Sequence, residues 1–249
     1  KSKELLKKIK LKKRDVIIYQ NIQFDDFSLT VNNQRNNPNL RLKLFDDIDF
    51  KNKVIYDLGC SNGYFCYEFA KRGAKVIGID KNIETIELNR LIAEYYDLDI
   101  EFLVDDLLDE DFYLKRMRNS DLIVFFSVIQ HIYNKTLINP SRFCQNILNI
   151  MSEKTNKMFF ETGQSGEPFH WSVRMGEMGN NPKDWILNNW LNPSQFNKID
   201  IKKAIGFEGA FGNKKKWICE IYRKSIFQPN KALRNFLIYI IYKLFISDP

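Results

Sequence analysis

One stretch constrains this chain more than any other: Val54-Ile-Tyr-Asp-Leu-Gly-Cys-Ser-Asn-Gly-Tyr-Phe65, followed by Lys75-Val-Ile-Gly-Ile-Asp80. An apolar strand feeds a glycine-bearing turn and then a helix, and 23 residues after Asp57 a second strand ends in an acid. Gly59 and Gly63 let the backbone come close to a bound nucleoside, and Asp80 can accept both ribose hydroxyls. The spacing is GxxxG, not the GxGxxG that cradles a dinucleotide pyrophosphate, so a nucleoside without that group fits better.

From Val54 onward, strands alternate with helical stretches, the order that builds a parallel sheet with crossover helices. Val54–Asp57, Lys75–Ile79, Ile100–Val104, Leu122–Phe125 and Lys157–Glu161 read as strands, and Tyr64–Arg72, Ile83–Tyr96 and Pro140–Met151 as helices. Upstream, Leu40–Phe45 reads as a helix covering the sheet. Downstream, Gly163–Asn192 is a long excursion of the kind that forms lids and binding loops. A helix at Pro193–Ala204 and a strand at Trp217–Tyr222 are expected after it.

Asp57-Leu-Gly-Cys-Ser-Asn-Gly63 resembles the first motif of class I S-adenosylmethionine-dependent methyltransferases. Phe102-Leu-Val-Asp-Asp106 and Asp121-Leu-Ile-Val-Phe-Phe-Ser-Val-Ile-Gln-His131 are similar to that family's third and fourth strands, in the family's order. The resemblance implies a Rossmann-like α/β fold, a mostly parallel sheet of about seven strands with helices on both faces, and S-adenosylmethionine as cofactor. It implies cofactor contacts from Asp57, Gly59, Cys60, Ser61, Gly63, Tyr64, Phe65, Asp80, Lys81, Asp106, Leu107 and Ser127, with Asp106 at the adenine amino group.

A closer resemblance rests on Tyr19-Gln-Asn-Ile22, Asn39-Leu-Arg-Leu42 and Glu167-Pro-Phe-His-Trp171, which look like the methyltransferase domain of bacterial O-antigen chain-terminating kinase/methyltransferases. It implies that Tyr19, Gln20 and Arg41 close over the cofactor, Arg41 forking onto its carboxylate. His170 departs from the tyrosine expected there, and Ile129-Gln130 from the expected Phe-His, so the acceptor stays open. His131 is the candidate general base, since its intrinsic pKa suits proton transfer near neutrality. Glu161 could orient His131 or an acceptor hydroxyl, and His170, Trp171 and Arg174 could form the acceptor wall.

Charge is segregated. Residues 1–14 hold eight Lys/Arg against one Glu, which accounts for the whole net charge of +7, and the body from Asp15 to Arg223 is slightly acidic. A body of that sign makes a poor groove for a phosphate backbone, so nucleic acid is not the expected partner. Cys60, Cys66, Cys144 and Cys219 show neither a paired CxxC pattern nor histidine at ligand spacing, and no metal site is expected. In the tail, Leu233, Phe236, Leu237, Ile240, Ile241, Leu244 and Phe245 fall at helical spacing among Lys231, Arg234 and Lys243, which fits a membrane surface or a partner enzyme.

These readings divide the chain into a basic leader (1–18), a methyltransferase domain (19–225) and an amphipathic C-terminal helix (226–249). The expected activity is methylation of a sugar hydroxyl or terminal phosphate on a surface-polysaccharide intermediate (O-antigen or capsule), with a small molecule or glycan as substrate. The expected location is cytoplasmic, peripheral on the inner face of the membrane. A tRNA wobble-base modifying enzyme of the same fold and a non-catalytic cofactor-binding scaffold are the alternatives.

Overall fold

The computed structural model describes residues 3–30, 38–163, 174–179, 181–194, 196, 198–206 and 215–222. The leader forms helix α1 (Lys3–Lys12), followed by a small antiparallel hairpin, β1 (Ile22–Gln23) and β2 (Ser28–Leu29), and by helix α2 (Pro38–Leu42), which continues as a 3-10 turn to Phe45. Then come β3 (Val54–Leu58), α3 (Tyr64–Lys71), β4 (Lys75–Asp80), α4 (Ile83–Tyr96), β5 (Ile100–Val104), β6 (Leu122–Phe126), α5 (Ile129–Lys135), α6 (Pro140–Lys154) and β7 (Lys157–Glu161). Helix α7 (Pro182–Ile186) precedes the final strands β8 (Lys198–Gly206) and β9 (Lys215–Tyr222).

Seven strands form one sheet in the order β5-β4-β3-β6-β7-β9-β8. The first five are mutually parallel, and β9 pairs antiparallel with both β7 and β8. The order reverses between β3 and β6, and in open α/β sheets ligands sit at such a reversal, beyond the carboxyl ends of the strands. The interior strands read as continuous apolar runs because both of their faces are covered. Ile123, Val124 and Phe125 of β6 are all fully buried, with one cluster of core side chains on each side of the sheet.

Two expectations about this architecture need correction. The described residues of the 193–204 stretch form no helix: Lys198–Gly206 is a strand, with a register shift between Ile201 and Lys203. The alternation Lys198-Ile-Asp-Ile-Lys202 has the period of two that an antiparallel strand requires. The excursion after β7 is also no open lid over its described part. Met175, Met178, Ile186, Trp190 and Leu191 are buried in the core on the α6 side, where the Trp190 ring meets Tyr133 and Trp185.

Helix α1 is part of the body. Ile9 is fully buried, Lys12 pairs with Glu87 of α4 at 2.5 Å, and Lys13 Nζ donates to the Ser28 carbonyl. Among the described residues no helix is long and apolar enough to cross a membrane. The proposed C-terminal helix, His170 and Trp171 lie outside the described residues.

Candidate active site

The turn after β3 adopts a backbone that its sequence allows. Gly59 and Gly63 both sit at φ +77, and Ser61 between them at φ +48. A Cβ on Gly59 would lie 2.4 Å from Val128 Cγ2, so glycine is needed there for space as well as for conformation. The Gly59 and Cys60 amides donate to the Ile79 carbonyl at 2.8 and 2.9 Å, tying the turn to β4. Asp80 accepts from the Ser61 amide through one carboxylate oxygen and from the Asn82 amide through the other, both at 3.0 Å. Each oxygen keeps a second lone pair, so Asp80 can still receive a pair of hydroxyls.

The acids after β5 separate into two roles. Asp105 is forked by Arg116 at 2.9 and 2.9 Å, whereas Asp106 is exposed at the carboxyl edge and uses one oxygen to cap the Leu108 amide at 3.0 Å. Leu107 beside it is buried, and its carbonyl accepts from Tyr113. Lys81 is exposed at the same edge, and its ammonium lowers the pKa of Lys135 on α5 from the ordinary lysine value.

Below the turn, Asp57 is almost wholly buried and accepts from the Cys66 thiol at 3.3 Å. Burial pushes its carboxyl up to about 7, further raised by Asp80 and opposed by the Cys66 hydrogen bond. Cys60, Cys66 and Cys144 are buried free thiols, and burial raises the pKa of all three. Among the described residues no cluster of His, Cys, Asp and Glu could hold a metal ion.

The side of the site formed by β6 and β7 is built around a buried ion pair. Arg41 Nε and Nη2 donate to the two oxygens of Glu161 at 2.7 and 2.9 Å, with side-chain exposures of 7% and 0%. Ser127 Oγ donates to the same carboxylate at 2.6 Å, and the Ser127 amide donates to the Glu161 carbonyl at 2.8 Å. These contacts hold Ser127 at φ +56, at the end of β6. The fork expected on the cofactor's carboxylate is thus engaged by Glu161, which anchors α2 and Ser127. His131 sits in the first turn of α5, exposed at the carboxyl edge.

Two more expected site residues are placed elsewhere. The Phe65 ring is core, packed against Phe45, Phe69 and Phe126, because it points from α3 toward the sheet. Arg174 fastens its own turn to the end of α5, donating to the carbonyls of Asn134 and Thr136. Tyr64 is also buried, its hydroxyl donating to Asn39 at 2.6 Å at the start of α2.

Asn62, which the motif reading passed over, is fully buried and carries the leader across the turn: its Nδ2 donates to the Ile17 carbonyl at 3.2 Å and its Oδ1 accepts from the Tyr19 amide at 2.7 Å. Tyr19 is therefore held beside the glycine turn by its main chain, with its ring exposed, and Gln20 follows half-buried. Gln130 was also missed. It is buried, donates to the Ser127 carbonyl at 2.8 Å and accepts from Thr162 at 3.3 Å, bridging the ends of β6 and β7.

The residues present fit a nucleoside: a glycine turn after β3, an acid with free lone pairs at the end of β4 and an exposed acid after β5. Residues 49–159 match the methyltransferase domain family. Strand order and glycine turn, with the family match over residues 49–159, mark a class I S-adenosylmethionine-dependent methyltransferase domain within this chain.

Among curated proteins, it is similar to the O-antigen chain terminator bifunctional methyltransferase/kinase WbdD of Escherichia coli, 31% identical over 120 residues, 48% of this chain and 16% of that protein. It is also similar to the ubiquinone biosynthesis O-methyltransferase of Coxiella burnetii, 28% identical over 127 residues, 51% of this chain and 50% of that one. Among solved structures, the 2.2 Å crystal structure of WbdD superposes with a TM-score of 0.62 at 21% identity over 76% of this chain and 41% of that chain. The N-terminal domain of EvdMO1, crystallised in the presence of SAH and D-fucose, gives 0.62 at 13% identity over 89% and 96%. The chain spans half or less of the length of these two curated relatives.

Proposed function

We propose that this methyltransferase acts on a hydroxyl group of a bacterial surface-polysaccharide intermediate. The observation that carries the reading is His131: an exposed residue just past the carboxyl end of β6, while the Glu161 carboxylate at the end of β7 is already committed to Arg41 and Ser127. With Glu161 so engaged, His131 is the basic group best able to take a hydroxyl proton. S-adenosylmethionine supplies a methyl group on a sulfonium, transferred by in-line displacement. The protein's own work is then to hold the donor's nucleoside with Asp80 and Asp106, to align the acceptor, and to remove its proton. The polysaccharide assignment is supported by the similarity to WbdD and by the residues around Tyr19, Arg41 and His170 on which that resemblance rests.

Incubation of labelled cofactor with candidate glycans, a phosphate-terminated glycan and RNA identifies the acceptor. On a hydroxyl acceptor, His131→Ala should lower turnover by about 10²–10⁴-fold and remove a rate that rises with pH through the histidine's titration. Label on the phosphate, with turnover of the variant almost unchanged, would overturn the hydroxyl reading, since a phosphate monoester is already ionised at neutral pH.

A further inference from the structure

We infer that helix α1 is an electrostatic docking face for an anionic lipid surface. Lys3, Lys7, Lys10 and Arg14 recur at the i, i+4, i+7 spacing that lines up one side of a helix, and all four are exposed. No described residue pairs with any of them, whereas the other cations are committed: Lys8 to Glu4, Lys12 to Glu87, and Lys13 to the Ser28 carbonyl and the Phe27 ring. The apolar side of the helix, centred on Ile9, is spent on packing against the body. What faces outward is a row of like charge fixed on a rigid support.

Apolar side chains accompany the row. Leu11 is 51% exposed and falls next to Lys7, Lys8 and Arg14 by helical spacing, and Ile17 is 71% exposed just beyond the helix. Apolar groups set among cations gain nothing against a phosphate backbone but gain by entering the headgroup region of a bilayer. The row lies on one helix of a body of slightly acidic balance, which disfavours RNA.

The test uses the full chain and the triple variant Lys7→Glu/Lys10→Glu/Arg14→Glu, which leaves the committed cations untouched. Sedimentation with phosphatidylcholine vesicles containing about one-third phosphatidylglycerol should fall by about a hundredfold in partition coefficient. Binding of the unmodified chain should weaken with added salt and be absent on pure phosphatidylcholine. Leu11→Trp provides a second measurement, with fluorescence that should shift to the blue on the anionic vesicles. Undiminished sedimentation of the triple variant, a tryptophan that does not respond, or binding to a single-stranded RNA and not to vesicles would each overturn the inference.

Discussion

At the scale of single residues, the site depends on charges that the fold has taken out of water. Arg41 and Glu161 compensate each other in the interior, and removing one partner leaves the other as an unpaired buried charge. Glu161→Gln keeps the shape and removes the charge, so it should cost about 3–5 kcal/mol of stability, read as a lower midpoint in chemical denaturation. Asp57 behaves differently because no described residue gives it a cationic partner. Its carboxyl is raised to about 7 in the fold, against the ordinary 3.8, so the folded state favours the protonated form. The resulting stabilisation is complete below about pH 4 and is lost as pH rises through about 7, to a total on the order of 4 kcal/mol for a shift of this size. Thermal melts should show that component between pH 4 and 8 in the native chain, and Asp57→Asn should abolish it.

At the scale of elements, the leader and the glycine turn act as one unit joined by Asn62. Asn62→Ala should leave the sheet intact but release residues 16–20, and hydrogen exchange should become faster there while β3, β4 and β6 stay protected. The five parallel strands and their crossover helices were legible in the sequence, because strand and helix impose different apolar periods and the turns carry their own residues. Gly59, Gly63 and Asp80 were legible for the same reason: their demands are local. Asn62 was not, since nothing within five residues tells a buried asparagine from one on a turn's surface. Nor was the Arg41–Glu161 pair, whose members lie 120 residues apart and meet only when α2 crosses the end of β7. Residues 198–204 were misread because Lys198, Lys202 and Lys203 set among apolar residues look like a helix face unless the strand's partner, nine residues beyond the end of β8, is known.

At the scale of the whole molecule, the sheet's reversal separates two tasks. Asp80 and Asp106 lie at strand ends on one side of it, and Ser127, His131 and Glu161 at strand ends on the other, so the residues proposed for donor and for acceptor belong to different halves of one scaffold. The last described strand, β9, is not at the margin of the sheet but inside it, between β7 and β8. Synthesis therefore delivers β7 long before its neighbour, and the growing polypeptide must carry an unsatisfied row of amides and carbonyls until residue 222 has left the ribosome. A chain halted after Gly206 should associate edge to edge, visible as large species in light scattering, while the native chain stays dispersed. The nascent protein thus has its greatest need of a chaperone late, when most of the cofactor-binding half has already been made.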